Sequence, residues 1–318
     1  WAHRVEVMLF AVVDVLKIFG KLLFKKRNKA AFLMLTYAES LVPFEYVVTA
    51  IVRLLGFKST YYLKGGKLMD TYDKGSERHK RMFKKIMDRQ SMAFFEGMDS
   101  LRIVQAISQT PLVYFPNYVA DRLPALPQER PDKPIGLLYF GRVTPEKQVH
   151  VSIEAFHLLA EKYPDMRLTI IGDSTRAVDY TARIAQMITD SPYRDRIRKL
   201  GNSPFEVLLE AMQTHHFFIF PSKEMAEGHS NSLTEAMSQG LVPIVSDWHF
   251  NRTIVGDDML VVGGTSFDAK DYAERIDQII RSGRMKLLSR QMCDRVKSQY
   301  TETAVLNKIG ESIKSVFA

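Results

Sequence analysis

The stretch EGHSNSLTE, residues 227–235, sets two carboxylates, Glu227 and Glu235, on either side of seven mostly small and polar residues. It follows the apolar run FFIFPS. Three chemistries fit such a pair: a helix-capping contact, an acid and a nucleophile, or two acceptors gripping the hydroxyls of one ligand. Ser232-Leu233-Thr234-Glu235 has the spacing of a capping box, in which the glutamate reaches back to the N–H of its cap. That accounts for Glu235 in the first turn of a helix. It does not account for Glu227, for Gly228, or for the polar run His229, Ser230, Asn231, Ser232. A helix N-terminus here directs backbone N–H groups and a positive dipole outward, which suits a phosphate or a developing oxyanion. The loop can therefore bind something both polyhydroxylated and anionic. For His229, contact with such a ligand and plain solvation are both open.

A second constellation is YFGRVTPEKQ. Gly141 and Arg142 follow an apolar run, and Lys147 opens the next amphipathic stretch. A glycine at a strand end lets the backbone approach a ligand. Arginine grips phosphate oxygens through a bidentate fork, and lysine adds a point charge. His215 and His216 precede an apolar run and read as turn or packing histidines, with no third ligand at metal-site spacing. Asp247 and Trp248 follow VPIVS and are placed to line the same crevice.

The elements that must carry these residues are visible in the periodicity. In the second part, apolar runs at 136–140, 167–171, 216–220, 242–245 and 260–262 alternate with amphipathic stretches such as 147–163, 176–190 and 204–213. Buried strands alternating with helices predict a doubly wound α/β domain, whose ligands sit beyond the strands' carboxyl ends. In the first part, strands are expected at 30–38, 58–63, 92–96 and 112–115. Four prolines among charges at 123–134 read as a linker. The expected domains are 1–130, 131–300 and a C-terminal helix at 301–318 that returns toward the first domain. The first domain is expected to be incomplete, lacking its opening βα units.

The 318 residues, 46% apolar and 25% charged, belong to an ordinary globular protein of about two domains. The net charge of +8 is unevenly spread: residues 1–130 carry 21 Lys/Arg against 12 Asp/Glu, and the remainder is close to neutral. An anionic surface is thus the expected partner of the first part, and a small ligand that of the second. The opening stretch 2–27 is broken by Asp14, Lys17 and Lys21, so it makes a poor membrane span; its basic end suits anionic lipid as well as solvent. The single cysteine, Cys293, excludes an internal disulfide and fits a reducing cytoplasm. No G-x-G-x-x-G follows a predicted strand, which disfavours a nicotinamide dehydrogenase. The basic residues are not interleaved with stacking aromatics, which disfavours nucleic acid.

The stretches FGRVTPEKQVHVSIEAFHLLAEKYPDMRLTIIGD and FPSKEMAEGHSNSLTEAMSQGLVPIVSD resemble the family 4 retaining glycosyltransferases of GT-B fold. Glu227 and Glu235 match the family's E-x7-E; Gly141, Arg142 and Lys147 match its G-R-x-x-x-x-K; Gly172 and Asp173 match in order and spacing. Asn117, in YFPNYV, is similar to the end of the family's first domain. The resemblance covers about 112–262 and is thin before that. It implies two Rossmann-like domains facing a central cleft and a nucleoside-diphosphate sugar as donor. It also implies a glycan or lipid-linked acceptor in polysaccharide synthesis; the lone cysteine and the basic first part add the expectation of a cytoplasmic enzyme, peripheral at the inner face of the membrane. Glu227 would contact the donor sugar and Glu235 the ribose. Arg142 and Lys147 would neutralise the departing diphosphate, and amides from Gly228 to Ser232 would hold its oxygens. The sequence departs from the family at two places. Gln148 stands where glycine usually follows the lysine, and Lys64-Gly65-Gly66 stands where His-Gly is common, making these three the acceptor-side candidates. No D-x-D occurs anywhere, so protein cations are expected to replace a metal, with no cofactor. The alternatives are a glycosidase using Glu227 and Glu235, which needs the carboxylates about 5–5.5 Å apart, and a catalytically silent scaffold that binds nucleotide or glycan.

Overall fold

The computed structural model describes residues 30–35, 39–121, 133–263 and 268–317, with Lys17, Gly20 and Arg130 placed individually. Most of the basic opening stretch 2–27 and most of the proline-rich linker lie outside the described residues. The chain divides into two compact units. The first takes residues up to Pro116 together with Ala226–His229 and Leu306–Ala318; the second takes Asn117–Met225 and Ser230–Val305. The division falls after Pro116 rather than near 130 for a physical reason. Val119 donates its N–H to Tyr300 at 2.9 Å and accepts one from Glu302 at 2.9 Å, which ties the segment after Pro116 into the second unit.

Among its described residues the first unit has four parallel strands in sequential order, β1 (Ala30–Leu35), β2 (Lys58–Leu63), β3 (Met92–Phe95) and β4 (Leu112–Tyr114). They are connected by helices α1 (Val42–Leu54), α2 (Lys67–Thr71), α3 (Glu77–Asp88) and α4 (Met98–Ile107). Helix α3 starts where Ser76 accepts the N–H of His79. Its Phe83, Ile86 and Met87 are fully buried against Tyr61, Leu63 and Phe95 of the sheet. Each such side chain contributes about 1.5–3 kcal/mol by leaving water. The register pairs Leu63 with Phe95 and Phe95 with Tyr114, so β2, β3 and β4 end level with one another. Lys64, Glu96 and Phe115 therefore emerge side by side at one edge of this sheet.

The second unit is a six-stranded parallel sheet, order β10-β9-β8-β5-β6-β7. Its strands are β5 (Gly136–Phe140), β6 (Arg167–Ile171), β7 (Ile197–Leu200), β8 (Phe217–Phe220), β9 (Val242–Ser246) and β10 (Val261–Val262). The helices are α5 (Val149–Lys162), α6 (Val178–Thr189), α7 (Phe205–Thr214), α8 (Asn231–Ser238), α9 (Asn251–Val255), α10 (Ala269–Arg281) and α11 (Met285–Gln299). Strands β5, β8 and β9 are buried on both faces, as parallel strands between helix layers must be. Strand β7 has no apolar run, because as the last strand of its sheet it buries only Ile197 fully. Arg130 locks the start of this unit: its guanidinium donates to the carbonyls of Met212 (3.0 Å), Gly240 (2.7 Å) and Gln239. It thus offers a cation to the carboxyl ends of α7 and α8. The last helix, α12 (Glu302–Phe317), begins in the second unit, where Asp121 accepts the N–H of Thr303 at 3.1 Å. From Leu306 it belongs to the first unit, where Lys58 donates to the Val316 carbonyl at 3.2 Å. No described helix is long and apolar enough to cross a membrane.

Candidate functional site

Strand β5 pairs with β6 on one side and with β8 on the other, so the winding direction of the second sheet reverses between β5 and β8. In open parallel sheets ligands bind beyond the carboxyl ends at this reversal. The two constellations singled out from the sequence leave the sheet at these two strands. Gly141 follows β5 with φ of 138° and donates its N–H to Ile171 at 3.0 Å; Gly172 follows β6 with φ of 125° and donates to Leu200 at 3.0 Å. A side chain is disfavoured at such φ, and a Cβ on Gly172 would lie 2.1 Å from the Gly141 carbonyl oxygen. The two turns are thus packed backbone to backbone.

Arg142 lies exposed beyond Gly141 and pairs with Glu224, from the loop after β8, at 3.2 Å. Lys147 closes a short 3-10 turn, Pro145–Lys147, and is only 5% exposed. Its ammonium sits 5.2 Å from the centre of the Phe220 ring at the end of β8. Lys223 donates its N–H to the Glu146 carbonyl at 2.7 Å, fastening the loop after β8 to the one after β5. Ser246, at the end of β9, donates its hydroxyl to the Ser222 carbonyl at 2.6 Å and fixes the same loop from the other side. Among the described residues, no three His, Cys, Asp or Glu side chains converge as metal ligands.

The residue after Lys147 explains one departure noted in the sequence. Gln148 has φ of 51° and ψ of 43°, the left-handed region where glycine is at ease. Gln148→Gly is expected to raise stability against urea by up to about 1 kcal/mol, by relieving this conformation. A fall in stability on that substitution would show that the glutamine side chain holds the turn.

Helix α8 corrects the capping-box expectation. Its cap is Ser230, not Ser232: the Ser230 hydroxyl accepts the N–H of Leu233 at 3.4 Å and lies 3.1 Å from the Ser232 hydroxyl. Glu235 falls one turn further in, too far along to return to the cap's N–H. The sequence favours Ser232 because it directly precedes the apolar Leu233 and stands three residues before Glu235, whereas Ser230 is followed by the polar Asn231. Glu235 is half-buried, and burial raises its carboxyl above the usual range. Asn231 and Ser232 form the first turn of α8, where helix amides point outward.

The first half of the glutamate loop packs elsewhere. Ala226, Glu227, Gly228 and His229 belong to the first unit, against the level ends of β2, β3 and β4. Gly66 donates its N–H to the Ala226 carbonyl at 3.1 Å. Tyr114 and His229 share a hydrogen bond of 3.1 Å. His229 is fully enclosed rather than solvated, and burial pushes its pKa down to about 3, so the ring is neutral at physiological pH. Lys64 is exposed at the end of β2, beside Gly65 and Gly66. The structure thus groups Gly141, Arg142, Lys147, Gly172, Ser230, Asn231, Ser232 and Glu235 in the second unit. Glu227, Gly228, His229, Lys64, Gly65 and Gly66 are in the first.

Sequence reasoning passed over Glu96, which follows β3 and accepts the N–H of Gly65 at 2.6 Å. Its only signal was a carboxylate directly after the apolar run MAFF. His215 and His216 serve packing. His215 bonds Thr169 at 2.8 Å, His216 accepts the N–H of Gly136 at 3.1 Å, and burial lowers the His215 pKa to about 4. Asp247 pairs with Arg252 at 2.9 Å.

Comparison with known proteins is consistent with this architecture. Residues 126–298, more than half of the chain, match the family model described as Glycosyl transferases group 1. Over 121 residues the chain is 31% identical to the amylovoran biosynthesis glycosyltransferase AmsK of Erwinia amylovora, covering 37% of this chain and 28% of that protein. Over 112 residues it is 31% identical to the GDP-mannose:cellobiosyl-diphosphopolyprenol alpha-mannosyltransferase of Xanthomonas campestris, covering 35% and 28%. The alignments thus span less than a third of either relative. Among solved structures, HepE from Anabaena in complex with UDP superposes with a TM-score of 0.72 at 15% identity, covering 95% of this chain and 82% of that one. Sucrose-phosphate synthase from Thermosynechococcus elongatus superposes with a TM-score of 0.68 at 16% identity, covering 90% and 73%. These likenesses establish the Rossmann-like GT-B fold, and by its match over 126–298 the chain belongs to the glycosyl transferases group 1 family.

Proposed function

We propose that the protein moves a hexose-type sugar from a nucleoside-diphosphate sugar to a glycan or lipid-linked acceptor in polysaccharide synthesis, with retention of anomeric configuration and without a metal. The observation that carries this reading is the set of groups at the β5–β8 reversal. Two close-packed glycine turns, Arg142, Lys147 and the amino end of α8 all leave the same edge of the second sheet. A leaving diphosphate accumulates negative charge as its bond to the sugar breaks. Fixed cations and helix amides stabilise that charge without reorganising. In this reading Arg142 and Lys147 hold the diphosphate, amides of Ser230 to Ser232 hold its oxygens, and Glu235 binds the ribose. Glu227, with Gly228 and His229, contacts the donor sugar. The departing phosphate oxygen takes the acceptor's proton as the new glycosidic bond forms on the same face.

The acceptor side falls to the first unit. Arg78, Arg81, Lys84 and Lys85 of α3 are exposed along one side of that helix, and Lys64 is exposed at the sheet edge. Such a surface suits an anionic acceptor or the anionic face of a membrane. The Xanthomonas relative is named for a diphosphopolyprenol acceptor, which has this character.

Binding measured across a panel of nucleosides and nucleoside diphosphates tests the assignment. Arg142→Ala is expected to weaken UDP or GDP by about tenfold, the scale of a charge-assisted hydrogen bond, and the parent nucleoside hardly at all. Equal loss for both would remove Arg142 from the phosphate site. Tight nucleotide binding with no donor turned over would mark a silent scaffold instead.

A further inference from the structure

We propose that Glu96 is a positioning residue for the segment 226–229, holding Glu227 in place for the donor sugar; its catalytic consequence rests on the function proposed above. Glu96 is 4% exposed, at the end of a strand that otherwise contributes only core residues. A carboxylate withdrawn from water is costly unless backbone or cationic donors receive it. One donor here is the N–H of Gly65, at the short distance of 2.6 Å. The contact continues outward in two further layers. Gly65 has φ of 86°, and a Cβ on it would meet the Ala226 carbonyl oxygen at 3.1 Å. Gly66 donates to that same carbonyl at 3.1 Å. A Cβ on Gly228 would lie 2.8 Å from the Glu96 carboxylate and 3.0 Å from the Gly65 Cα. Carboxylate, diglycine turn and Ala226–Gly228 backbone are therefore stacked with no room for one methyl group between them. Tyr114, at the end of β4, holds the next residue, His229, at 3.1 Å. Glu227 is thus flanked by two fixed points, both anchored to the edge of the first sheet.

This arrangement gives the two glycines after Lys64 a role, and at Gly65 a side chain would be both strained and crowded. They pass the fixed position of a buried carboxylate to the segment that bears Glu227. A group acting in this way is needed for its hydrogen bond and not for proton transfer. Glutamine, whose amide oxygen also accepts an N–H, should replace it, and alanine should not.

The test measures hydrogen exchange at the amides of 226–229, with release of nucleoside diphosphate from UDP-glucose and GDP-mannose as the activity probe. Glu96→Ala is expected to accelerate exchange in this segment and to lower kcat about 50-fold, while KM changes by less than about threefold, as displacement of a positioned group does. Glu96→Gln is expected to restore both to within about fivefold of the wild type. If Glu96→Ala does not fold, Gly228→Ala keeps the carboxylate and drives a methyl into it, and the same exchange and kcat changes are expected. Wild-type exchange and kcat in Glu96→Ala, or in Gly228→Ala where that variant stands in, would overturn the inference. So would a Glu96→Gln variant as slow as Glu96→Ala with its loop still protected, which would mean a direct chemical role. Should the wild type release no diphosphate from either probe, the functional reading fails on its own, and exchange alone decides whether Glu96 holds the segment.

Discussion

Lys147→Met is expected to lower kcat/KM for the donor about a thousandfold, roughly 4 kcal/mol of transition-state stabilisation, while the unfolding free energy falls by much less. The reasoning starts from burial. Lys147 is 5% exposed and its ammonium lies over the Phe220 ring at 5.2 Å. A cation kept this far from bulk water gives up hydration, and an arriving dianion feels it through a low effective dielectric. Its backbone is fixed too, by the hydrogen bond of 3.0 Å from its N–H to Thr144. The charge therefore needs no reorganisation as the diphosphate departs. Methionine keeps most of the apolar stem and removes the ammonium with its contact to the Phe220 ring. Steady-state kinetics on the variant, with urea unfolding in parallel, separate the two effects. Activity and stability falling together would make Lys147 a structural lysine and leave the diphosphate to Arg142 and the amides alone.

The residues of this site were legible in the sequence to different degrees, for physical reasons. Strands β5 and β6 coincide with the expected runs residue for residue, because strands buried on both faces are mostly apolar; β6 departs only at its exposed first residue, Arg167, and at Thr169. Gly141 and Gly172 could be placed for the same reason: a glycine directly after such a run marks a turn that no side chain can make. Strand β7, with Arg198 and Lys199 among its four residues, had no such signal. The start of α8 was displaced by two residues because two serines compete for the cap, and only the geometry of the Leu233 N–H decides between them. Gln148 was read as a departure from a family pattern. The structure shows that the backbone still adopts the left-handed conformation, only with a less suitable residue. The role of Glu96 depends on a contact with Gly65, 31 residues away, and the packing of residues 226–229 on contacts between segments more than 100 residues apart, which no local pattern encodes.

Gly172→Ala is expected to be the most damaging single-methyl change in the second unit, costing about 2–4 kcal/mol of stability and at least about a hundredfold in turnover. The added Cβ would lie 2.1 Å from the Gly141 carbonyl oxygen and 3.0 Å from its carbonyl carbon, so the obstacle is backbone and cannot rotate away. The φ of 125° adds a conformational penalty that alanine cannot avoid. Relief requires one of the two turns to move. Gly172 is held by its N–H bonds to Leu200 at 3.0 Å and Gly201 at 3.1 Å, and Gly141 by its bond to Ile171 at 3.0 Å. The turn at Gly141 leads directly into Arg142 and then to Lys147. Movement there displaces both cations, while movement at Gly172 breaks its link to the end of β7. Urea unfolding and nucleoside diphosphate binding together report which gives way. Loss of stability with unchanged diphosphate affinity would mean that the β6 turn yields and the phosphate groups stay in place. Loss of both is the outcome expected if the two glycine turns set the position of the cations.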